Sequence, residues 1–305
     1  MKILVTGAGG FIGRYTAIKL NEMGYDVVVN DFVGNLLNYS EDFTVIGFDF
    51  SEYSNFAKLP KDIDIIFHLG AQSAGYIGLT EPEKDVHWNT IGTMNVCRFA
   101  KETGVKKIVY TSSMAVYGNG DNLSESSKIN PLSNYGISKY TGELYVKQFK
   151  NYGIDYTIFR LFNVYGPGQD MGNLKQGMAS IYLAQALTSK NIKVTGSLDR
   201  YRDFVHVEDV FSALKLAIDG LSGETINVSS GKKTTVKDLL DIIFDVHDDS
   251  ADTFSVENIG AYDGDQFGTI GINSKLKLLG WKNKYNLKSG MKDFYNKTKE
   301  SLSEK

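Results

Sequence analysis

The sequence predicts an α/β fold in which a doubly wound parallel sheet is accompanied by a smaller α/β C-terminal domain. Short runs rich in Val, Ile and Phe alternate with longer amphipathic stretches over the first 160 residues. Strand–helix–strand alternation of this kind is typical of right-handed βαβ units with helices on both faces of a sheet. The chain has 305 residues, of which 42% are hydrophobic and 23% charged, so it is long enough for a large domain plus a small one.

In the N-terminal part, each buried run is separated from the next by a helix-like stretch. Continuous runs rich in β-branched residues suit strands buried on both faces, and here they predict strands at 2–6, 26–30, 43–48, 63–69, 107–111 and 155–160. The amphipathic stretches predict helices at 11–24, 86–103 and 135–151. After Leu161 the pattern changes, and residues 163–176, which are rich in Gly, Asn and polar residues, predict a covering loop.

The C-terminal part resumes the alternation. Apolar positions return at 177–187, strands are expected at 191–195 and 224–228, and helices at 206–218, 236–246 and 275–279, before a last helix that ends in the charged residues 297–305. The expected layout is a first domain at 1–165 with contributions from about 204–230, and a second domain formed by 166–203 and 231–305. The site is expected in the cleft between the two domains, since open α/β sheets bind ligands beyond the carboxyl ends of their strands.

Charge and cysteine content exclude several classes of function. The formal net charge is −3, from 33 basic and 36 acidic residues, so the field of the whole molecule favours neither nucleic acid nor an anionic membrane. The single cysteine, Cys97, excludes a disulfide scaffold, and no apolar run approaches the roughly 18 residues of a membrane span. The charge and the lack of an apolar span lead us to expect neither a nucleic-acid nor a membrane partner. Because the first residues run straight into a strand, with no room for a signal peptide, we also expect a cytoplasmic protein.

Three glycines at a spacing of three follow the first strand and open the first helix. Gly7 allows a sharp turn, Gly10 removes a side chain where backbone must approach a pyrophosphate, and Gly13 allows close packing of helix on strand. The N–H groups at the helix start, around Phe11 and Ile12, hold the anion together with the positive end of the helix dipole. The motif predicts a Rossmann-type dinucleotide site.

Two carboxylates after strands two and three indicate which dinucleotide is bound. Asp31 ends the second strand, where it can accept hydrogen bonds from both adenosine ribose hydroxyls. Its charge would repel a 2′-phosphate, so NAD is expected rather than NADP; the alternative for Asp31 is a helix or turn cap. Asp49 follows the third strand and is expected to reach the adenine amino group.

A tyrosine and a lysine one helical turn apart predict acid–base chemistry. Tyr135 and Lys139 lie four residues apart and so share one face of a helix. A free tyrosine, with a pKa near 10, is a poor base at neutral pH, but the ammonium and the positive nicotinamide of NAD⁺ are expected to favour the phenolate and lower that pKa. Tyr135 would then take a proton from a substrate hydroxyl while hydride leaves the same carbon, with Ser113 bonded to that oxygen. The alternatives are a chance surface pair and a turn-forming serine.

Several further motifs occur in the order found in one enzyme family. They lie at 6–13, 31, 68–73, 89–93, 112–118, 135–139, 160–167 and 202–207. Over nearly its whole length the sequence resembles the extended short-chain dehydrogenase/reductases, specifically the NAD-dependent nucleotide-sugar epimerase/dehydratase group. The resemblance implies NAD as cofactor and a nucleotide sugar as substrate.

The resemblance also implies roles for single residues. Besides the glycine turn, Asp31, Asp49, Tyr135 and Lys139, it implies cofactor contacts for Asn35, Phe50, Leu69, Gly70, Ala71, Asn89, Ser112 and Phe162. It implies substrate contacts for Ser73, Tyr76, Ser113, Asn163, Lys193, Thr195, Arg200 and Arg202. Asn163 and Arg202 would bind the diphosphate, with Arg200 as a second cation. The strand at 192–195 would meet the nucleotide base mainly through its backbone.

The residues after Ser113 separate the reactions of this group. The 4,6-dehydratases carry Asp-Glu there, because elimination of water needs an acid and a base, whereas this chain has Met114 and Ala115. The expected function is a UDP-hexose 4-epimerase, like the UDP-glucose 4-epimerases, acting through a transient 4-keto sugar that turns over and takes hydride back on its other face. The alternatives are a C4 dehydrogenase or 4-ketoreductase that releases its product, and a non-catalytic NAD-binding relative.

Two departures from the family pattern concern the substrate. Where the family has Arg-x-Gly-Asp near the C-terminus, this chain has Tyr262-Asp263-Gly264-Asp265, so one cation for the diphosphate is missing. The loop 73–79 is particular to this chain, and Tyr76 is expected to face the sugar. A UDP-sugar is favoured, and a GDP- or CDP-sugar stays open.

The remaining candidates are interpreted as structural. His68, His87 and His206 lack metal-ligand spacing with Cys97 or with one another, so no metal is expected. The helices at 86–103 and 135–151 have apolar faces, and in relatives these helices pair across a two-fold axis. By that analogy we expect a homodimer.

Overall fold

Two units make up the molecule in a computed structural model that describes residues 1–174, 177–260 and 267–303, apart from the side chains of residues 75 and 76. The first unit comprises Met1–Val116, Pro131–Arg160 and Ala213–Ile226. The second unit comprises Tyr117–Asn130, Leu161–Ser212 and Asn227–Lys305.

The strands and helices follow one another in the order that the sequence alternation predicts for the first half of the chain. The strands are β1 (Lys2–Thr6), β2 (Asp26–Asp31), β3 (Thr44–Gly47), β4 (Ile65–His68), β5 (Lys107–Ser113), β6 (Gly120–Leu123), β7 (Asp155–Leu161), β8 (Asn163–Tyr165), β9 (Asn191–Val194), β10 (Tyr201–Arg202), β11 (Phe204–His206), β12 (Glu224–Val228), β13 (Thr234–Thr235), β14 (Ser255–Asn258) and β15 (Gly268–Gly271). The helices are α1 (Phe11–Glu22), α2 (Gly75–Thr80), α3 (Pro82–Lys84), α4 (Gly92–Thr103), α5 (Asn134–Gln148), α6 (Met178–Thr188), α7 (Val207–Lys215), α8 (Val236–Val246), α9 (Ser274–Leu278) and α10 (Leu287–Ser303), with a π-helical segment Asp85–Ile91 between α3 and α4.

The central sheet has the strand order β12-β7-β5-β4-β1-β2-β3. β1 pairs in parallel with β2 and β4, β2 with β3, and β4 with β5. Thr6 pairs with His68, and His68 with Tyr110, so the carboxyl ends of β1, β4 and β5 lie at one edge of the sheet. The predicted doubly wound α/β fold is confirmed.

The core of the first unit comes from the apolar runs that predict its strands. Leu4, Val28, Ile66 and Ile108 are all fully buried and pack in one cluster. Cys97 belongs to the same cluster, and burial raises the pKa of its thiol to about 12. Its interpretation as a small buried apolar residue is therefore confirmed.

The second unit has its own sheet and its own core. A four-stranded sheet runs β13-β10-β15-β6, and two-stranded pairs join β11 to β8 and β14 to β9. Buried residues of α6, β9, α8 and α10, such as Leu183, Ile192, Leu239 and Phe294, form the core. α8 begins with a capping box in which Thr235 and Asp238 satisfy each other's backbone N–H groups.

Two sequence expectations are wrong in detail, and one pair of strands was not expected. The loop expected at 163–176 begins with β8, because the backbone of 163–165 pairs in parallel with β11. The helix expected at 86–103 is preceded by α3, and its first part is the π-helical segment. β6 and β15, which pair with each other, were not predicted from local pattern. Within the described ranges, no helix is both long and apolar enough to cross a bilayer.

Candidate active site

In the turn after β1, backbone occupies the space where side chains would otherwise lie. Gly7 has a φ of +70°, and a Cβ there would lie 2.5 Å from the backbone of Gly70, while a Cβ on Gly13 would lie 2.0 Å from the carbonyl oxygen of Gly7. Only glycine avoids these clashes. α1 follows Gly10 at Phe11; no side chain in the described part of the molecule caps it, and its first turn holds no acidic residue. Its first N–H groups can therefore bind an anion, which fits the pyrophosphate of a dinucleotide.

Asp31 lies beside this turn, because β2 pairs with β1. Its Oδ2 accepts a hydrogen bond from the Gly9 N–H at 3.0 Å, and its Oδ1 accepts from the Phe32 N–H and the Asn35 Nδ2, both at 2.7 Å. The cap considered as an alternative is thus present. A carboxylate has about four acceptor positions, so the contacts seen leave room for a ribose hydroxyl. Asn35 holds the carboxylate in place.

Asp49 is engaged in the turn after β3. Its Oδ1 accepts from the backbone N–H and the hydroxyl of Ser51, at 2.9 and 2.7 Å, and its Oδ2 accepts from the indole N–H of Trp88 at 3.3 Å. Through these hydrogen bonds Asp49 stabilises the turn. Its predicted contact with adenine stays a prediction.

The segment 69–71 passes directly beside the glycine turn. The Leu69 N–H donates to the Thr6 carbonyl and the Gly70 N–H to the Thr6 hydroxyl, both at 3.3 Å. Phe50 packs against the other side, since a Cβ on Gly70 or on Gly92 would lie 2.6 or 2.4 Å from its ring. Sequence reasoning assigned 69–71 and Phe50 to the cofactor, and the structure brings them together with Gly7.

Two glycines allow α5 to lie directly against the end of β5. The helix begins after Ser133, whose hydroxyl accepts from the Gly136 N–H at 3.1 Å. A Cβ on Gly136 would lie 2.5 Å from the Ala115 carbonyl oxygen, and one on Gly142 would lie 2.3 Å from the Tyr110 hydroxyl. This close approach places the first turns of α5 against the carboxyl end of a central strand, where such sheets bind their ligands.

The three predicted catalytic residues come together at this edge. The side chain of Ser113, the last residue of β5, lies close enough to the hydroxyl of Tyr135, on α5, to act on its pKa. Lys139 is only 2% exposed, and its Nζ lies 4.3 Å from the centre of the Tyr110 ring. The contact with an aromatic face partly stabilises the buried ammonium.

Burial dominates the ionisation of the pair. It raises the pKa of Tyr135 to about 12, with Ser113 acting against this and the charge of Asp85 adding to it. It lowers the pKa of Lys139 to about 7, opposed by Glu143 and Asp85. In the protein alone the net pKa of Tyr135 is therefore raised, and the lowering expected from Lys139 together with the positive nicotinamide of NAD⁺ stays a prediction. Desolvation penalises both charged forms, and the spacing of two residues on a helix does not reveal burial.

Glu143, one turn beyond Lys139, is a buried carboxylate that sequence reasoning missed. It accepts from the Ser112 hydroxyl at 2.6 Å and from two nitrogens of Arg160 at 2.8 and 2.7 Å, and Lys147 lies 3.3 Å away. These partners hold the pKa of Glu143 below its usual range although burial acts in the other direction. The i, i+4 spacing from Lys139 was the available signal.

Asn89 connects the segment after β4 to α5. Its Oδ1 accepts from the Gln72 N–H at 2.7 Å, and its Nδ2 donates to the Gln72 carbonyl at 2.9 Å and to the Ser138 hydroxyl at 3.0 Å. Ser138 lies between Tyr135 and Lys139 on the same helix. The resemblance implies that Asn89 holds the strand ends around the cofactor, and these bonds are the means available to it.

The residues expected to bind the diphosphate lie in the second unit and bond to its backbone. Asn163 donates to the Asp203 carbonyl through its N–H at 3.0 Å and its Nδ2 at 3.3 Å. Arg202 is 6% exposed, and its Nη1 donates to the carbonyls of Tyr201 and Phe267 at 2.9 and 3.2 Å.

The other substrate candidates of this unit lie around β9. Arg200 is also 6% exposed and donates to the carbonyls of Thr195 and Ser197. Lys193 has an exposed side chain, and its N–H donates to Gln185 at 2.8 Å. Arg200 and Thr195, expected at the diphosphate and at the nucleotide base respectively, therefore meet in one turn.

The remaining predicted residues lie within one of the two units or outside the described part of the chain. Phe162, expected at the cofactor, is 3% exposed within the second unit, where a Cβ on Gly271 would lie 2.6 Å from its ring. Ser73 is exposed in the first unit. The side chain of Tyr76 and the whole of 262–265 lie outside the described residues. In the described ranges, no cluster of three or more His, Cys, Asp or Glu side chains could hold a metal ion.

Comparison with known proteins finds similarity along nearly the whole chain. The sequence model of the NAD dependent epimerase/dehydratase family matches residues 3–229. A Methanocaldococcus jannaschii protein, provisionally named UDP-glucose 4-epimerase, is 36% identical over 305 aligned residues, which cover 96% of this chain and 97% of that protein.

Solved structures give the same result at the level of the fold. The crystal structure of UDP-glucose 4-epimerase from Thermotoga maritima with UDP-glucose is 30% identical, has a TM-score of 0.90, and aligns over 99% of this chain and 100% of that one. The UDP-glucose 4-epimerase of Thermus thermophilus in complex with NAD is 25% identical, with a TM-score of 0.89 over 98% and 99% of the two chains.

Proposed function

Because the chain belongs to the NAD dependent epimerase/dehydratase family and is an NAD-dependent enzyme, we propose that it is a UDP-hexose 4-epimerase. The observation that carries the proposal is the trio of Ser113, Tyr135 and Lys139 at one edge of the sheet. In the sequence, Ser113 is followed by Met114 and Ala115. The trio can hold and move one proton, whereas elimination of water needs a further acid and base. Met114 and Ala115 supply neither, so reversible oxidation at one carbinol is the reaction that remains.

In this proposal the protein handles the proton. The glycine turn of residues 7–13 fits the pyrophosphate of NAD, which when bound supplies the hydride acceptor. Tyr135 is proposed to act as the phenolate, which the positive nicotinamide of bound NAD⁺ would favour, and so to take the proton from the C4 hydroxyl of the hexose. Ser113 hydrogen bonds to the same oxygen, and Lys139 contributes a positive charge one turn away. Tyr135 keeps the proton while the 4-keto sugar turns over, and returns it to the oxygen once the opposite face of C4 is reduced.

The proposed substrate is a UDP-sugar, supported by the UDP-glucose 4-epimerases that the chain resembles in sequence and fold. Within the second unit, Arg202 and Asn163 are proposed to bind the diphosphate, with Arg200 as a second cation. Further substrate contacts are proposed for Lys193 and Thr195 with the base, and for Ser73 and Tyr76 with the sugar.

We also propose a homodimer that forms through the π-helical segment, α4 and α5. On the π-helical segment and α5, large apolar side chains are exposed in the monomer: Val86 at 54%, Ile91 at 37%, Ile137 at 52% and Leu144 at 48%. Exposed apolar patches of this kind are typical of protein interfaces, and a two-fold dimer would bury the same patch on both copies.

The proposed location is the cytoplasm, where a lone free thiol such as Cys97 stays reduced.

The test is to incubate the purified protein with UDP-glucose, UDP-glucuronate, UDP-N-acetylglucosamine and GDP-glucose without added reductant, with Tyr135→Phe as the matched inactive control. We expect NMR to show the C4 epimer of at least one UDP-sugar, without net change in NADH absorbance. Stoichiometric NADH without an epimer would support the dehydrogenase alternative instead. NAD binding with no change in any sugar would indicate a non-catalytic relative.

A further inference from the structure

One buried carboxylate near Tyr135 has no role in the mechanism above. Asp85 is the first residue of the π-helical segment and is fully buried. Its Oδ1 accepts hydrogen bonds from the Gln72 Nε2 at 3.0 Å and the Asn89 Nδ2 at 3.1 Å. Its Oδ2 has no hydrogen-bond partner within the described part of the chain, and a Cβ on Gly78 would lie 2.4 Å from that oxygen.

A buried carboxylate with hydrogen bonds to only one of its two oxygens lowers the stability of the fold, so its presence calls for a physical reason. Burial raises the pKa of Asp85 to about 6, with Gln72 and Lys139 acting in the opposite direction. At neutral pH the group is therefore mostly ionised. An asparagine would keep both hydrogen bonds through its own Oδ1 and avoid the burial of a charge. The hydrogen bonds alone do not account for an aspartate.

The groups around Asp85 identify where its charge acts. The π-helical segment packs against α3, α4 and α5. Asp85 interacts electrostatically with Tyr135 and Lys139 on α5, and Glu143 on α5, His68 on β4 and Tyr110 on β5 interact with that pair. The charged side chains of α4, Arg98, Lys101 and Glu102, are exposed; on α3, Glu83 is exposed and Lys84 is paired with Glu81. Burial lowers the pKa of His68 to about 3, so it is neutral. Glu143 is already satisfied by Arg160 and Ser112. Asp85 is thus the anion with an unused oxygen beside the catalytic pair.

The charge of Asp85 acts in the same direction on both members of that pair. It raises the pKa of Tyr135 and the pKa of Lys139, so it favours the phenol over the phenolate and the ammonium over the amine. Because the two effects have one sign, the titration of the coupled pair shifts upward however the protons are divided between the two sites.

We propose that Asp85 is a positioning residue whose buried negative charge keeps the transferred proton on Tyr135 while the 4-keto sugar is in the site. The inference rests on the proposed function. In the oxidation half, the C4–H bond breaks with its electron pair going to the coenzyme, and the O4–H proton passes to the phenolate oxygen of Tyr135, which becomes the phenol as C4=O forms. In the return half, both transfers reverse and O4 regains the proton. A charge that stabilises the phenol preserves the acid needed for that return.

The test begins with Asp85→Asn, which removes the charge but keeps the shape and the acceptor oxygen. Its matched control is Asp64→Asn, the same substitution immediately before β4, at the opposite edge of the same sheet. The phenolate of Tyr135 is titrated by ultraviolet difference absorbance in the presence of NAD⁺, with Tyr135→Phe as reference. We expect the apparent pKa to fall by about one unit in Asp85→Asn, the scale of one charge acting through a partly screened interior, and to be unchanged in Asp64→Asn.

This readout needs no sugar substrate, so it separates the inference from the proposed function. Failure to epimerise any nucleotide sugar would refute the function, whereas an unchanged or higher phenolate pKa in folded Asp85→Asn would refute the role of Asp85. If Asp85→Asn does not fold, Asp85→Ser, which also lacks the charge, is titrated with the same expectation. With an active substrate, we further expect more reduced coenzyme and released keto sugar during turnover in Asp85→Asn than in Asp64→Asn. Equal amounts would contradict the proposal.

Discussion

The two units of the molecule differ in how their functional side chains are held. In the first unit, Gly136 and Gly142 let the helix that carries Tyr135 and Lys139 pack closely against β5 and the residues after it. Asn89 and Glu143 make buried hydrogen bonds to or from the same helix. In the second unit, Arg200 and Arg202 bond to backbone carbonyls, and Lys193 is exposed. From this difference we expect that substitutions around Tyr135 change the reaction itself, and that substitutions at Arg200, Arg202 or Lys193 change the binding of the substrate.

The sharpest way to break this comparison is to remove the phenol. We expect Tyr135→Phe to lower kcat by at least about two orders of magnitude, the usual contribution of acid–base catalysis, and to leave NAD binding intact because the glycine turn is untouched. Turnover and NAD affinity, measured by steady-state kinetics and calorimetry, check both parts. Near-normal turnover would remove Tyr135 from its proposed role.

A substitution in the second unit should mainly change KM, whereas Tyr135→Phe mainly changes kcat. Arg202→Ala should raise KM for the nucleotide sugar by about ten- to a hundredfold, the range of a hydrogen bond to a charged group, with a smaller effect on kcat. Arg98→Ala, which removes an exposed arginine of α4, is the control. An unchanged KM in Arg202→Ala would place the diphosphate elsewhere.

A substitution at Asp31 tests whether this residue of the first unit determines the preference for NAD over NADP. Asp31→Ala removes the charge that repels a 2′-phosphate, so the preference for NAD over NADP should fall by about tenfold, as expected for about 1.4 kcal/mol. Titration with both coenzymes measures it. If the preference is unchanged, Asp31 only caps the turn through Gly9 and Asn35.

The smallest effect is on stability and follows from the lowered pKa of Lys139, about 7 compared with 10.5. Between these values the unfolded chain binds a proton that the folded chain has lost, so this residue makes stability rise as pH increases from about 7 to 10.5. Lys139→Met should remove that rise and increase Tm at pH 7 by a few degrees, while abolishing activity. Lys101→Met, at an exposed position, should change neither. A lower Tm in Lys139→Met would show that the contact with Tyr110 outweighs the burial cost.

The parts of the fold and site that sequence could predict are those written within single elements. The glycine turn, Asp31 at a strand end and the Tyr135–Lys139 spacing each need only one strand or helix to be interpreted. Asp85 and Glu143 could not be assigned in the same way, because their partners come from other elements. The pairing of β6 with β15 joins segments far apart in the chain, and the direction of the Tyr135 pKa shift depends on burial that three-dimensional packing creates.

The central claim is that C4 of the sugar is oxidised and reduced by hydride transfer, with Tyr135 moving only the hydroxyl proton. The most direct measurement is to run the reaction on the active UDP-sugar in D₂O and examine the epimer by NMR. The account predicts that the hydrogen at C4 is retained in the product, since it returns from the coenzyme. Deuterium at C4 would contradict the account, because it would show that the carbon itself had been deprotonated.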